Sequence, residues 1–476
     1  MENMLPLTEK KNVDALLDAQ RKFFRTNITL DLDWRITQLK KLKKALKQYR
    51  AQIEDALSED LGRTGTEAYI CDIGPSFVSI NEAIRNLKRW AKPETHFSGI
   101  MCFPSIITKV YKMPYGTTLL ISPYNFPIFL SLGVLVASLA GGNTAVIKAS
   151  SKSPACTAVL KELIGSIFPP EYVAVADSGH EVADLLLEAC FDKIFYTGSP
   201  KVASHVLSKA AKQLIPTALE LGGETGNWCV IRADADLKDA ARKIAFFKLC
   251  NSGQICIDIN QIAVAEEVAD AFLTELKKAF EKQIGLTPLQ NAEYPHLISA
   301  QAYEKCSAEA SRYADRIVFG GHGDPVSRRF EPTILYPVSI EEELVQHELF
   351  SPLLPVVPFP DGEIERVMDV IASREHGLAL YLFTRNLAWA KNVMSTQQYG
   401  GGCINEVCLQ LMAKNVPFNG TGHSGMGAYH GEWGFREFTH PSTVLIGSTK
   451  GNLPLREHPY TGKGSWKKHL IRMIEK

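Results

Sequence analysis

The sequence predicts an α/β protein of two parallel-sheet domains, and three observations carry that expectation. Between Thr117 and Gln213 short apolar segments alternate with helical ones, as in a parallel sheet covered on both faces. A second block of the same kind follows Gly223. A chain of 476 residues also exceeds what one hydrophobic core supports.

The chain opens with a helical region, Val13 to Lys92. Asp33 is placed to cap a helix carrying Ile36, Leu39, Leu42 and Leu46 on one face. Its other face holds Lys40, Lys41, Lys44 and Lys47 without interleaved aromatics, which reads as a solvated surface. From about Thr95 to Tyr115 the pattern is β-like, with Ser105 to Tyr111 alternating. A hairpin standing off the helical block would offer free sheet edges to another chain. The strand Thr117–Ile121 then leads into a helix from Phe126 to Ala140, and Thr144–Lys148 into a helix from Pro154 to Ile167. A strand from Tyr172 to Ala176 precedes a helix from Val182 to Cys190. Lys193 to Thr197 precedes the helix Lys201 to Gln213.

Ligands on such sheets bind at the carboxyl ends of the strands, and there the polar residues collect. Ser122 to Asn125 follow the first strand, Lys148 to Ser151 the second, and Gly198-Ser199 the fourth. The helix beginning near Pro200 offers free N–H groups to a phosphate. The second block contains Trp228–Ile231, the helix Leu237 to Leu249, the strand Ile262 to Ala265, a helix from Val268 to Gln283, and strands near Val356 and Leu380 to Phe383.

Composition narrows the function. Apolar residues make up 45% and charged residues 22%, with a formal net charge of zero. Balanced charge gives no electrostatic reason to expect nucleic acid or an anionic membrane as partner. No apolar run reaches the length of a membrane span, and the amino terminus lacks a signal-like core. Ten cysteines without a CxxC pair indicate reduced thiols. Together these predict a cytoplasmic protein.

Chemistry concentrates between Glu220 and Cys256, a carboxylate and a thiol each beside glycines. Glycine lets the backbone approach a ligand closely, so the pair reads as a base and a nucleophile within reach of a substrate. Cys190, Cys229 and Cys306 read as core residues, and Cys250 as a packing residue beside Phe246 and Phe247. Taken singly, Asn125 also reads as a turn residue and Glu348 as a cap before a Phe-Ser-Pro turn.

Six motifs together are specific: Pro123-Tyr124-Asn125-Phe126-Pro127, Lys148-Ala149-Ser150, Thr197-Gly198-Ser199, Glu220-Leu221-Gly222-Gly223, Gly253-Gln254-Ile255-Cys256 and Glu348-Leu349-Phe350-Ser351-Pro352. With them the chain resembles the aldehyde dehydrogenase superfamily. Ser424-Gly425-Met426-Gly427-Ala428-Tyr429-His430-Gly431 followed by Phe438-Thr439-His440 resembles its class 3 branch.

The resemblance implies an aldehyde dehydrogenase-like fold. A Rossmann-type cofactor domain would span 1–94 and 116–221, and a catalytic domain 222–420, with 421–440 returning to the first. An oligomerisation arm would comprise 95–115 and 441–452, and a tail 453–476. The implied reaction is oxidation of an aromatic or medium-to-long-chain aldehyde to its acid by NAD or NADP, through a thioester on Cys256. Asn125 and the Cys256 N–H would hold the developing oxyanion, and Glu220 would activate water.

For the cofactor, the resemblance puts Lys148 at the adenosine ribose, Gly198 and Ser199 at the phosphates, Glu348 at the nicotinamide ribose and Phe350 beside the ring. Ser122, Tyr124, Ser150 and Ser151 complete that set. Tyr124 stands for the usual tryptophan, and residues from Cys71 to Phe77 are expected to form a substrate wall. Ser151 stands where many NAD-preferring members carry glutamate. Ala203, Glu224 and Asn419 also depart from the pattern. A homodimer is implied. The competing readings are a catalytically silent binding protein of the same fold and acyl transfer from the thioester to coenzyme A.

Overall fold

The computed structural model describes residues 7–99, 102, 105–450, 472 and 475. Most of the expected tail 453–476 therefore lies outside the described residues.

Two sheets organise the molecule. The first has six strands in the order Gly425–Met426, Thr217–Leu221, Lys193–Gly198, Thr117–Ile121, Thr144–Lys148 and Val173–Val175. All neighbours are parallel except the Gly425–Met426 edge. The second has seven strands, ordered Ile317–Phe319, Thr333–Leu335, Leu353–Phe359, Ile259–Ala265, Asn227–Ile231, Ala379–Phe383 and Gly401–Ile404. It too is parallel apart from one edge. The central strands are buried throughout, so both faces demand apolar side chains and the strands read as continuous rather than alternating apolar runs.

The amino-terminal helices Lys10–Phe24, Leu32–Gln48, Arg50–Leu61 and Gly74–Trp90 pack beside the first sheet and bury Leu39, Leu42, Leu46 and Ile80. Lys40, Lys41, Lys44 and Lys47 of the second helix are exposed, as its polar face predicts. Its cap is Asp31 rather than Asp33: the Asp31 carboxylate accepts the Trp34 N–H at 2.6 Å, and Asp33 lies within the first turn. The helix expected from Phe126 begins at Phe129, because the Ile128 and Phe129 N–H groups are taken by the buried Asp72 carboxylate. It is apolar all round, and nearly every residue of Phe129–Gly141 is buried. Cys190 is exposed, in the loop after the helix His180–Glu188 ends, which corrects its expected core position; Cys229 and Cys306 are buried.

A three-stranded antiparallel sheet stands apart from the two large ones. Glu94–Phe97 pairs with Ile107–Pro114, which pairs along its whole length with Thr439–Ile446. Phe97, Ile107, Val444 and Ile446 on this arm are exposed. Among the described residues no helix is long and apolar enough to cross a membrane.

Candidate active site

The carboxyl ends of the first sheet's strands face a cavity of about 450 Å³. All twelve residues that the sequence marks for catalysis or cofactor binding line it, joining segments far apart in the chain.

Glu220 is fixed by its strand. In register it pairs with Thr197 on one side and Gly425 on the other. Its side chain is 2% exposed, and neither carboxylate oxygen has a hydrogen-bond partner in the protein. Burial pushes the carboxyl up to about 7, with Cys256 and Thr197 the polar groups that face it. A buried carboxylate without a partner is costly, and is the state expected of a base held for a substrate or water.

Cys256 follows the single turn Cys250–Gly253, where the chain leaves the helix Leu237–Leu249. Asn251 and Ser252 both adopt left-handed backbone, with φ of 51° and 53°. Gly253 is required there: its φ is 72°, and a Cβ would lie 2.3 Å from the Ser351 carbonyl. The Asn227 side chain donates to the Cys256 carbonyl at 2.8 Å. Burial, with Glu220 beside it, raises the Cys256 thiol well above its ordinary value. The Asn125 amide donates to the Gln254 carbonyl at 3.1 Å, two residues before the thiol. It lies in the same cavity as Glu220 and Cys256.

The rest of the cavity suits a dinucleotide. Buried Lys148 donates to the Ala149 carbonyl at 3.0 Å, and burial lowers its pKa. Gly198 and Ser199 stand at the start of the helix Pro200–Ala211, whose free N–H groups favour an anion. Glu348 packs so close to Gly222 that a Cβ there would lie 2.2 Å from its Oε1. Burial pushes Glu348 up to about 8, against the opposing effect of Lys305. Phe350 and Tyr124 meet edge to face with centroids 6.1 Å apart, and the Lys152 ammonium lies 5.2 Å from the Tyr124 ring centre. The Ser122 hydroxyl is bonded to Ser131 at 2.7 Å, and the residue lines the cavity.

Cys256 also lines a second, apolar cavity of about 270 Å³ on its other side. Its walls include Ile70, Cys71, Pro75, Leu130, Phe247, Met412 and Phe418. Cys71 and Pro75 thus form part of the wall expected from Cys71 to Phe77, whereas Phe77 does not line it; Tyr124 lines only the larger cavity. Cys250 lines the apolar cavity as well, though it is buried.

Sequence reasoning missed Lys305, His180 and the apolar channel. Lys305 comes from the helix Ala300–Arg312, remote from every motif, and the channel residues look like ordinary core in the sequence. Of the departures, Ala203 is buried in the helix Pro200–Ala211, and Glu224 pairs with His423 at 3.0 Å on the surface. Asn419 pairs with Ala428 in a short hairpin; none of the three lines either cavity.

The two parallel sheets, with a nucleotide-sized cleft meeting an apolar channel at one thiol, define an α/β dehydrogenase. Comparison with known proteins agrees. The model of the aldehyde dehydrogenase family matches residues 4–444. The chain is 36% identical over 454 residues to a 4,4'-diaponeurosporen-aldehyde dehydrogenase of Staphylococcus aureus, covering 95% of this chain and 97% of that protein. It is 34% identical to aldehyde dehydrogenase family 3 member H1 of Arabidopsis thaliana, covering 94% and 92%. A solved substrate-bound aldehyde dehydrogenase of Staphylococcus aureus superimposes with a TM-score of 0.92 at 34% identity, over 98% of this chain and 99% of that one. The chain belongs to the aldehyde dehydrogenase family, in its family 3 branch. It is an oxidoreductase that uses a nicotinamide dinucleotide to convert an aldehyde to its carboxylic acid.

Proposed function

We propose that Cys256 attacks the aldehyde carbon, Asn125 and the Cys256 N–H hold the resulting oxyanion, and Glu220 activates the water that releases the acid. The observation that carries this reading is the convergence of all three on one cavity, with the Glu220 carboxylate buried and unpartnered. When bound, the nicotinamide accepts the hydride. The protein's part is to keep the aldehyde carbon over the thiol and to admit one water beside Glu220. Each oxyanion donor contributes about 3 kcal/mol in the transition state. A carboxylate at 220 favours hydrolysis of the thioester over transfer to coenzyme A, and acid formed without any acceptor tests that choice.

The cleft residues fit the dinucleotide: Lys148 for the adenosine ribose, Gly198 and Ser199 for the phosphates, Glu348 and Phe350 for the nicotinamide end. Ser151 lines the cleft with Lys148 and Lys152 beside it. No carboxylate stands at 151 to repel a ribose 2′-phosphate, and two ammonium groups attract one. The kcat/KM with NADP should therefore lie within ~10-fold of that with NAD, a gap of ~1.4 kcal/mol or less. Steady-state kinetics showing a hundredfold NAD preference would set this aside.

The apolar channel supports aromatic and medium-to-long-chain aldehydes as substrates. Each methylene buried in it stabilises by ~0.8 kcal/mol, or about fourfold in kcat/KM. From propanal to octanal kcat/KM should climb accordingly, and a flat series would remove the channel from the substrate path.

The six-stranded sheet supports a cofactor-binding domain over 1–94 and 116–221, and the seven-stranded sheet a catalytic domain over 222–420, joined by 421–440. The arm, 95–115 with 441–452, supports a homodimer through its exposed apolar residues. The protein's place of work is proposed to be the cytoplasm, in keeping with its ten unpaired cysteines.

A further inference from the structure

Glu67 lies in the short helix Gly65–Ala68, far in sequence from every motif, yet its Oε1 accepts the backbone N–H of Asn251 at 2.6 Å. Asn251 is the first of two consecutive left-handed residues in the loop that delivers Cys256. Such backbone costs ~1 kcal/mol or more per non-glycine residue and persists only where its surroundings hold it. There the chain has left its helix, and the Asn251 N–H is met by this side chain.

From Asn251 the contact spreads to the reacting groups. Its side-chain amide, wholly buried, donates to the Asn125 carbonyl and the Gln254 carbonyl, both at 3.0 Å. The Asn125 amide donates to the same Gln254 carbonyl. The Gln254 side chain in turn donates to the Asn251 carbonyl at 2.9 Å and accepts the Ile298 N–H at 3.0 Å. One turn beyond Glu67, Asp72 pairs with buried Arg63 at 2.5 Å and accepts the N–H groups of Ile128 and Phe129 just after Asn125. The amino-terminal helical block thus braces both catalytic segments from behind.

We propose that Glu67 is a positioning residue: through Asn251 it sets the register between the Asn125 amide and the Cys256 loop, touching no reacting atom itself. This inference rests on the assignment of Cys256 and Asn125 as reacting groups. What the loop needs from residue 67 is an oxygen acceptor at the reach of a glutamate. The bond itself is one backbone N–H to one oxygen, which an amide oxygen accepts as a carboxylate does. Glu67→Gln keeps both oxygen and reach. Glu67→Asp keeps the carboxylate but withdraws it by one methylene.

The test is the pre-steady-state burst of reduced cofactor in the full-length protein, with cofactor Kd measured alongside. Glu67→Asp should slow the burst about 10- to 100-fold, the worth of one hydrogen bond to a polar group held in place, while cofactor Kd stays within twofold. Glu67→Gln should stay within about threefold of the parent. A parent-like burst in Glu67→Asp, or a Glu67→Gln as slow as Glu67→Asp, overturns the proposal. Should Glu67→Asp not fold, Asn251→Gly keeps the backbone amide and the left-handed turn but deletes the relay to Asn125. A slowed burst there supports the proposal and a parent-like burst overturns it. Cys256→Ser run in parallel separates the two levels, since turnover surviving in that variant defeats the site assignment itself rather than the role of Glu67.

Discussion

Cys256→Ser should bind cofactor as tightly as the parent yet lose at least ~10⁴-fold in kcat, on the scale seen when a covalent nucleophile is removed. The thiolate is the reactive form of cysteine, and a serine hydroxyl of far higher pKa has no comparable anion to offer. The substitution is nearly isosteric. It leaves the Asn227 bond to the residue 256 carbonyl in place, so the loop should keep its path. Cofactor Kd by fluorescence titration and aldehyde-dependent formation of reduced nicotinamide measure the two halves separately. Cys250 is the rival thiol, because it too lines the apolar channel. It is buried, it does not reach the dinucleotide cleft, and the neighbouring Cys71, with burial, raises its pKa well above the ordinary thiol value. Cys250→Ala should therefore keep its turnover. Activity surviving in Cys256→Ser but lost in Cys250→Ala would move the nucleophile. A parent protein that forms no reduced cofactor with any aldehyde would instead favour a silent binding protein.

What could be read from the sequence was what local pattern encodes. The parallel strands Thr117–Ile121, Thr144–Lys148 and Lys193–Gly198 follow from buried apolar runs, and the clustering of polar residues at their ends follows from parallel topology. The second arm segment, expected over 441–452, overlaps the observed strand Thr439–Ile446. Less legible was anything decided by a long-range contact. Asp31 caps where Asp33 was expected, since either aspartate suits a helix start and the backbone path chooses. The helix after Asn125 starts late because Asp72, more than fifty residues earlier, takes its first N–H groups. The walls of the apolar channel carry no signature at all, because Leu130, Phe247 and Phe418 have the character of core residues until the fold opens a space between them. Glu67 is the extreme case: nothing in Gly65-Thr66-Glu67-Ala68 marks a residue that reaches the nucleophile loop.

Glu220→Gln should separate the two halves of the reaction. The amide cannot take a proton from water, so the acyl group should accumulate on Cys256: one equivalent of reduced cofactor appears in a burst, and steady-state turnover then falls by about 10²- to 10⁴-fold, the usual contribution of a general base. Its fit is close to that of glutamate, and the groups that face it, the Cys256 thiol and the Thr197 hydroxyl, can meet an amide as they meet the carboxylate. The parent's pH profile carries the same information. Burial places the Glu220 carboxyl at about 7, and a base must be ionised to work. Below that value kcat limited by thioester hydrolysis should fall about tenfold per pH unit, and above it should level off. The raised Cys256 thiol acts in the same direction on the acylation step, where higher pH gives more thiolate. The burst rate and the steady-state rate must therefore be followed separately. Glu220→Gln should abolish the steady-state limb near 7 and move the pH dependence of the burst to lower pH, because the thiol loses the carboxylate that helps raise it. A variant that turns over at the parental rate, or that loses its burst along with its steady state, would transfer the base role to another group, with Glu348, the other carboxylate that bears on the thiol, the first to examine.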